Sequence, residues 1–314
     1  MEDRIFEMVQ GDLFRTPLWL WTLPLGEHRF VPSWGKGTVT WLTQKVGATE
    51  VKLPSGFSFW SSWSFAVCTA KEERSQRDLW RALMREDSPT PLDWLVLLFN
   101  VPEPCALRVR VGKHGTIDYR LIVHDSDGPL AHASREVSLP HGQAEHHLLT
   151  IIGQGRGKGL GAQIVANAIA LYRRLSVSEL YLTAGLSAGG AVWGKFGYRP
   201  VDPMAWRGVK RTVRRRLAAV GANDRAAYRL RYGVSLEKTV AALLRLSDPR
   251  TLWDILDLDP DKVVQLGGSG RGLGGFLLQG TRWRAILDLQ DPEAERRLRD
   301  YVETKIPGSL PPGW

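Results

Sequence analysis

The feature that most restricts how this chain can fold is a change of period at Gly153. Before it, Glu145 to Ile152 reads as a strand. After it, Ile164, Val165, Ala168, Leu171, Tyr172 and Leu175 fall on one stripe of a helix, and Arg173 and Arg174 occupy its last turn, where the helix dipole favours cations. Between the two stands Gly153-Gln154-Gly155-Arg156-Gly157-Lys158-Gly159-Leu160-Gly161. A strand, a glycine-rich turn and a helix together make an anion site, because the first helical N–H groups lack internal partners and the dipole places partial positive charge there.

Upstream, Ala106 to Val111, Thr116 to Val123 and Leu130 to Leu139 read as strands. They are separated by Gly112-Lys113-His114-Gly115 and Asp125-Ser126-Asp127-Gly128, whose glycines and aspartates tolerate the conformations of tight hairpins. Ser64 to Ala70 is a further β-like run, leading into an amphipathic helix from Lys71 to Asp87 that Ser88-Pro89 stops. Glu179 to Thr183 follows the long helix as another strand. The expected class is α/β, with a mixed, mostly antiparallel sheet and flanking helices.

Two well-known phosphate-binding patterns do not fit the turn. A P-loop requires the first glycine at Ile152 and Ser or Thr where Gly159 stands, and no three glycines of the cluster have GxGxxG spacing. The pattern that does fit is [Arg/Gln]-x-x-Gly-x-[Gly/Ala], filled by Arg156, Gly159 and Gly161 and continued by Ala162-Gln163-Ile164-Val165. On these residues the chain resembles the GNAT N-acetyltransferase superfamily, whose members wrap the pyrophosphate of acetyl-CoA in such a turn. The resemblance implies coenzyme contacts from Arg156, Gly157, Lys158, Gly159, Leu160 and Gly161, whose missing Cβ atoms at the glycines let backbone N–H groups approach phosphate. A glycine-rich surface turn, or a tight helix entry, is the plainer alternative.

The resemblance extends to both sides. Leu149 and Ile151 match the family's fourth strand, whose backbone pairs with the pantetheine arm and thioester. In the histone-acetylating branch a glutamate eleven residues before the motif's Gln/Arg is the general base, and Glu145 stands there. Its role requires a carboxylate pKa raised toward neutrality by burial; a surface glutamate at a strand end is the alternative. His147, two residues on and on the same face of a regular strand, is the reserve base. Trp193-Gly194-Lys195-Phe196-Gly197-Tyr198 is similar to the family's closing segment, Tyr-x-Lys-Leu-Gly-Phe, in which a helix ends on glycine before the last strand. Trp193 stands where the family's acid tyrosine is common; indole is no acid near neutral pH, so Trp193 is expected to line the coenzyme site without supplying a proton.

Outside this core, expected at residues 64–205, lie a tryptophan-rich extension at 1–63 and a basic, mainly helical domain at 206–314. From Arg207 to Arg231 nine basic residues face one acidic residue, Asp224, which nearly accounts for the net charge of +9. Arg207, Arg211, Arg214, Arg215 and Arg216 are the candidates for attracting an acidic acceptor, either protein or nucleic acid; a solvated helix face and an intramolecular partner in Asp254, Asp257, Asp259 and Asp261 are the competing explanations. A second cluster, Gly267 to Gly275, contains GxGxxG spacing but no room for a dinucleotide-fold helix before Gly280, and reads as a loop. Cys68 and Cys105 form no CxxC, and the adjacent His146 and His147 point to opposite faces of a strand, so no metal site is expected. No apolar run is long enough to span a bilayer and Met1-Glu2-Asp3-Arg4 does not open a secretory signal, so a cytoplasmic location is expected.

The resemblance therefore implies an N-acetyltransferase that uses acetyl-CoA to acylate an amine. The rival from another class is a silent GNAT-fold module that binds nucleic acid or an acidic protein.

Overall fold

Odd-numbered apolar residues from Ile117 to Val137 set the first half of the fold. The computed structural model describes residues 43–46, 49–52, 105–111, 116–125, 128–266, 272–308 and 310. The expected strand 64–70, the helix 71–87 and the turn residues 112–115 lie outside these, as does the tryptophan-rich extension apart from an antiparallel pair, β1 (Thr43–Val46) and β2 (Thr49–Lys52). The chain forms two units, Met1–Ser178 with Lys305–Trp314, and Glu179–Thr304.

In the first unit, β3 (Cys105–Val111), β4 (Thr116–Asp125), β5 (Gly128–Ser138) and β6 (Gln143–Ile151) form an antiparallel meander, matching the expected strands to within a few residues. Ile117, Tyr119, Leu121 and Val123 of β4 and Ala131, Ala133, Arg135 and Val137 of β5 are buried. Helix α1 (Leu160–Arg174) packs on β5 and β6. An amphipathic stripe was expected of it, yet every residue from Ala162 to Tyr172 is buried. The polar pair in this run, Gln163 and Asn167, satisfies itself one turn apart, Gln163 Nε2 donating to Asn167 Oδ1 at 2.9 Å.

The second unit holds β7 (Glu179–Ala184), α2 (Leu186–Lys195), β8 (Arg199–Pro200), α3 (Pro203–Ala218), α4 (Ala222–Tyr232), α5 (Leu236–Arg245), α6 (Thr251–Leu256), α7 (Leu273–Leu277), β9 (Trp283–Asp288) and α8 (Pro292–Lys305). Strand β9 lies between β7 and β8 and is antiparallel to both. A strand from the expected 206–314 domain thus sits between two strands of the expected 64–205 core, and the division at Ser178 differs from the expected boundaries. Glycines permit the close helix packing here: a Cβ on Gly194 would lie 2.6 Å from the side chains of both Leu252 and Leu256, and one on Gly274 would lie 2.4 Å from the Ile255 carbonyl oxygen. Gly274 of the second glycine cluster therefore serves packing against α6, while residues 267–271 lie outside the description.

Candidate functional site

The glycine turn occupies the junction of β6 and α1, as the change of period requires. Gly153–Gly155 make one 3₁₀ turn, closed by Gly155 N–H donating to the Ile152 carbonyl at 3.0 Å, and α1 begins at Leu160 with Gly159 as its N-cap. Gly157 and Gly159 have φ of 80° and 79°, the left-handed region that glycine enters without strain. The first turn-to-helix bond runs from Gln163 N–H to the Gly159 carbonyl at 3.0 Å. Among the described residues, no backbone carbonyl accepts from the N–H groups of Gly157, Lys158, Gly159, Leu160, Gly161 or Ala162.

The flanking cations are free to serve this row. Arg156, Gly157 and Lys158 are exposed. Arg156 donates through Nε to the Ile151 carbonyl at 3.2 Å, which ties its side chain to the strand end. The three motif glycines do different things. A Cβ on Gly157 meets nothing within 4 Å, one on Gly161 would touch the Ile151 side chain at 3.4 Å, and one on Gly159 would lie 2.6 Å from Ile306 and 2.7 Å from the Lys305 carbonyl oxygen. Gly159 is therefore required by packing as well as by its φ.

Strand β6 carries a bulge that its sequence does not announce. Glu145 pairs with Glu136 and His146 with Arg135, but Leu148, rather than His147, pairs with Ser134. His147 is the extra residue, and the alternation reverses across it. Ala144 and His146 face the buried side before the bulge, whereas Leu149 and Ile151 face it afterwards, opposite the buried Ala133 and Ala131. Glu145 and Leu149 thus lie on opposite faces, contrary to what unbroken alternation implies. Glu145 and His147 do come together: His147 Nδ1 is 3.9 Å from Glu145 Oε1, and His147 Nε2 is 3.6 Å from Glu136 Oε2. All three side chains are about one-third to one-half exposed (Glu145 35%, Glu136 43%, His147 45%), so Glu145 stands at the surface rather than in the buried setting expected of it.

Beneath the bulge lies a polar cluster that sequence reasoning missed. Arg135, 1% exposed, donates through Nη1 to the carbonyls of Ser134 and Leu148. Its Nε and Nη2 are buried without a hydrogen-bond partner among the described residues. Tyr119 and Tyr172 share a hydroxyl–hydroxyl hydrogen bond of 2.9 Å, and the Tyr172 hydroxyl also lies 3.1 Å from His146 Nε2. Burial, reinforced by Arg135 and then by His147, holds the His146 pKa well below its usual value, and burial pushes Tyr119 up to about 12. The signal for His146 was the adjacent His147, since one of two neighbouring residues in a strand must face inward.

Trp193 belongs to the second unit. It sits on α2 with ring centroids 5.5 Å from Phe196 and 5.3 Å from Tyr198, and its carbonyl accepts from Tyr198 N–H at 3.1 Å as the chain turns through Gly197, φ 86°. The helix thus ends on a left-handed glycine before β8.

No family model and no curated protein matches the chain. A solved structure from Klebsiella pneumoniae subsp. pneumoniae, provisionally described as an acyl-CoA N-acyltransferase, is 20% identical over 37% of this chain and 81% of its own, with a TM-score of 0.25. A likeness of that degree decides neither fold nor chemistry.

Proposed function

We propose that the chain is an acyl-CoA-dependent N-acyltransferase of the GNAT type, with acetyl-CoA as its acyl donor. The observation that carries this reading is the row of N–H groups from Gly157 to Ala162 that no backbone carbonyl among the described residues engages, on a turn between a strand and a helix, flanked by the exposed Arg156 and Lys158. That arrangement suits a pyrophosphate, which accepts several hydrogen bonds at once and carries the negative charge that the helix N-terminus favours.

Bound there, acetyl-CoA supplies a thioester carbonyl as the electrophile. Glu145, which is one-third exposed and so takes this role without the burial first expected of it, accepts through water the proton that an acceptor ammonium must lose before its nitrogen attacks, and His147, 3.9 Å away, is the alternative base. The new C–N bond forms as the C–S bond breaks, and backbone N–H near Ile151 supports the oxyanion. The departing thiolate takes its proton from solvent. Leu149 and Ile151 are assigned to the pantetheine path, and the exposed Arg207, Arg211, Arg214 and Arg215 to an acidic acceptor. Trp193, tilted against Phe196 and edge-on to Tyr198, is a packing residue, which also suits a second reading, a GNAT-like module that transfers nothing.

Titration calorimetry with acetyl-CoA and with CoA tests the central claim. Arg156→Glu/Lys158→Glu is the informative variant, because both side chains are exposed, whereas Gly159→Val would disturb the contact with Lys305 and Ile306. The double variant should weaken coenzyme binding by a factor on the order of 100, as expected for lost charge-assisted hydrogen bonds, at an unchanged melting temperature. Absence of binding to folded wild-type protein refutes the reading. Labelled acetyl-CoA added to cell extract should mark an acceptor, and Glu145→Gln should slow that labelling by roughly 100-fold while coenzyme affinity holds. Coenzyme binding without any labelling supports the silent module.

A further inference from the structure

The basic residues between Arg207 and Arg231 separate into two groups. Some are consumed within the protein. Arg216 donates through Nε to the Gln279 carbonyl at 3.2 Å and lies over the Phe276 ring at 5.6 Å. Arg225 donates to the Leu217 and Ala218 carbonyls and pairs with Glu237 at 3.1 Å, and Arg231 pairs with Asp261 at 2.8 Å. Arg207, Arg211, Arg214 and Arg215 are exposed, and among the described residues none of them pairs with a carboxylate.

These four share one face of α3. At about 100° per residue, Arg207, Arg211 and Arg214 fall within an arc of roughly 60°, and Arg215 lies at its border. The stripe runs about 12 Å along the axis at 1.5 Å per residue. Trp206, Val209 and Val213, at 0 to 1% exposure, take the opposite face and fix which side is outward. The positive charge is dense enough to act on its neighbour: desolvation and then the nearby Arg214 and Arg207 lower the pKa of Lys210, whose Nζ is turned to the Leu246 carbonyl at 2.5 Å. Like charges crowded on one helix face oppose folding, and a bound polyanion relieves them.

We propose that the solvent face of α3 binds the phosphate backbone of a nucleic acid through Arg207, Arg211, Arg214 and Arg215. An acidic protein is the poorer fit, because protein interfaces centre on buried apolar and aromatic residues, and here the only large exposed apolar side chain on the stripe is Met204 at one end. A membrane surface fits poorly too, since an interfacial helix inserts its apolar face and that of α3 is already buried in the protein. Guanidinium forks match phosphate oxygens two at a time, and a duplex presents several phosphates along about 12 Å of its axis. The proposal specifies the acidic acceptor assigned above to these arginines, but phosphate binding here can be measured whether or not acyl transfer occurs, and Arg216 takes no part in it.

Fluorescence anisotropy of the full chain tests this with a labelled 20-base-pair DNA duplex and a labelled 20-nucleotide RNA. Either probe should bind at 50 mM salt, and the tighter one identifies the kind of strand preferred. For four duplex phosphates contacted, log K should fall against log salt with a slope of about −3.6, a loss of roughly 100-fold between 50 and 200 mM. Replacing all four arginines with glutamine should weaken binding at least 30-fold and bring the slope close to zero, while the corresponding lysine variant keeps most of the slope. In wild-type protein, the bound probe should shield these four arginines, and not Arg216, from phenylglyoxal, as read by mass spectrometry; this readout decides the matter if the glutamine variant melts early. The proposal is overturned by absence of binding at 50 mM salt, by full affinity in a stably folded glutamine variant, by absence of shielding, or by polyglutamate of equal charge competing as well as nucleic acid does.

Discussion

Arg135 brings a full charge into the space beside α1 with backbone carbonyls as its acceptors, and one of these, Leu148 O, belongs to the bulge of β6. The bulge and the buried guanidinium therefore depend on each other: the register slip turns the Leu148 carbonyl inward, and Arg135 saves it from burial without a donor. His146 meets the same surroundings from the other strand. Because its folded-state pKa is depressed, the unfolded chain binds a proton near pH 6.5 that the native protein refuses. The unfolded state thus gains relative to the native state as pH falls below about 6.5, and stability should drop by up to about 1.4 kcal/mol per pH unit on this account. His132, also depressed by burial and by Arg120 and Arg135, adds a drop of the same sign. Urea denaturation from pH 7.5 to 5 should show the decline, and His146→Gln should make it shallower. An unchanged slope in that variant would assign the decline to other groups.

At the level of elements, alternation in the sequence was enough to locate β4, β5 and β6, and the switch to helical spacing located α1, because each pattern is set by which side chains one local segment buries. The bulge was not legible. A single extra residue in β6 shows only against the register of β5, and that pairing is a property of two segments together. Arg135 was hidden for a similar reason, since it stands among Ser134 and Glu136 in a stretch that reads as polar, while its burial follows from the alternation of Ala131, Ala133 and Val137. The turn itself was legible in its sequence, but the separate duties of Gly157 and Gly159 were not, because Ile306 arrives from far along the chain. Gly194 in α2 makes the same point. It matched a family motif, and it also leaves room for Leu252 and Leu256. Gly194→Val should overpack this helix contact and lower stability by about 1–3 kcal/mol, whereas Trp193→Phe should cost less. Thermal melts of the two variants measure the difference, and a neutral Gly194→Val would show that α6 can withdraw without loss.

For the molecule as a whole, the placement of β9 between β7 and β8 means that residues 206–314 cannot be treated as an appendage. A chain ending at residue 205 would leave β7 and β8 without their shared neighbour and would expose the core positions that Ala285 and Leu287 cover, both fully buried. Such a truncation should be insoluble or rapidly proteolysed, and a soluble, cooperatively melting product would show that the second unit has another way to close its sheet. No sequence pattern predicted this pairing, because Trp283 to Asp288 looks locally like any short apolar strand and nothing in it names a partner about a hundred residues earlier.

The same strand also sets a schedule for synthesis. Chains emerge at roughly 5–20 residues per second and tend to fold from the N-terminal end, and pairings between distant segments slow folding because a long loop must close first. Here β7 emerges about a hundred residues before β9 and stays without that neighbour until Asp288 has left the ribosome. The first unit has its four-strand meander and α1 before then. The second acquires its sheet only once β9 has emerged, and for several seconds the side of β7 that β9 covers is an open apolar edge of the kind that chaperones bind.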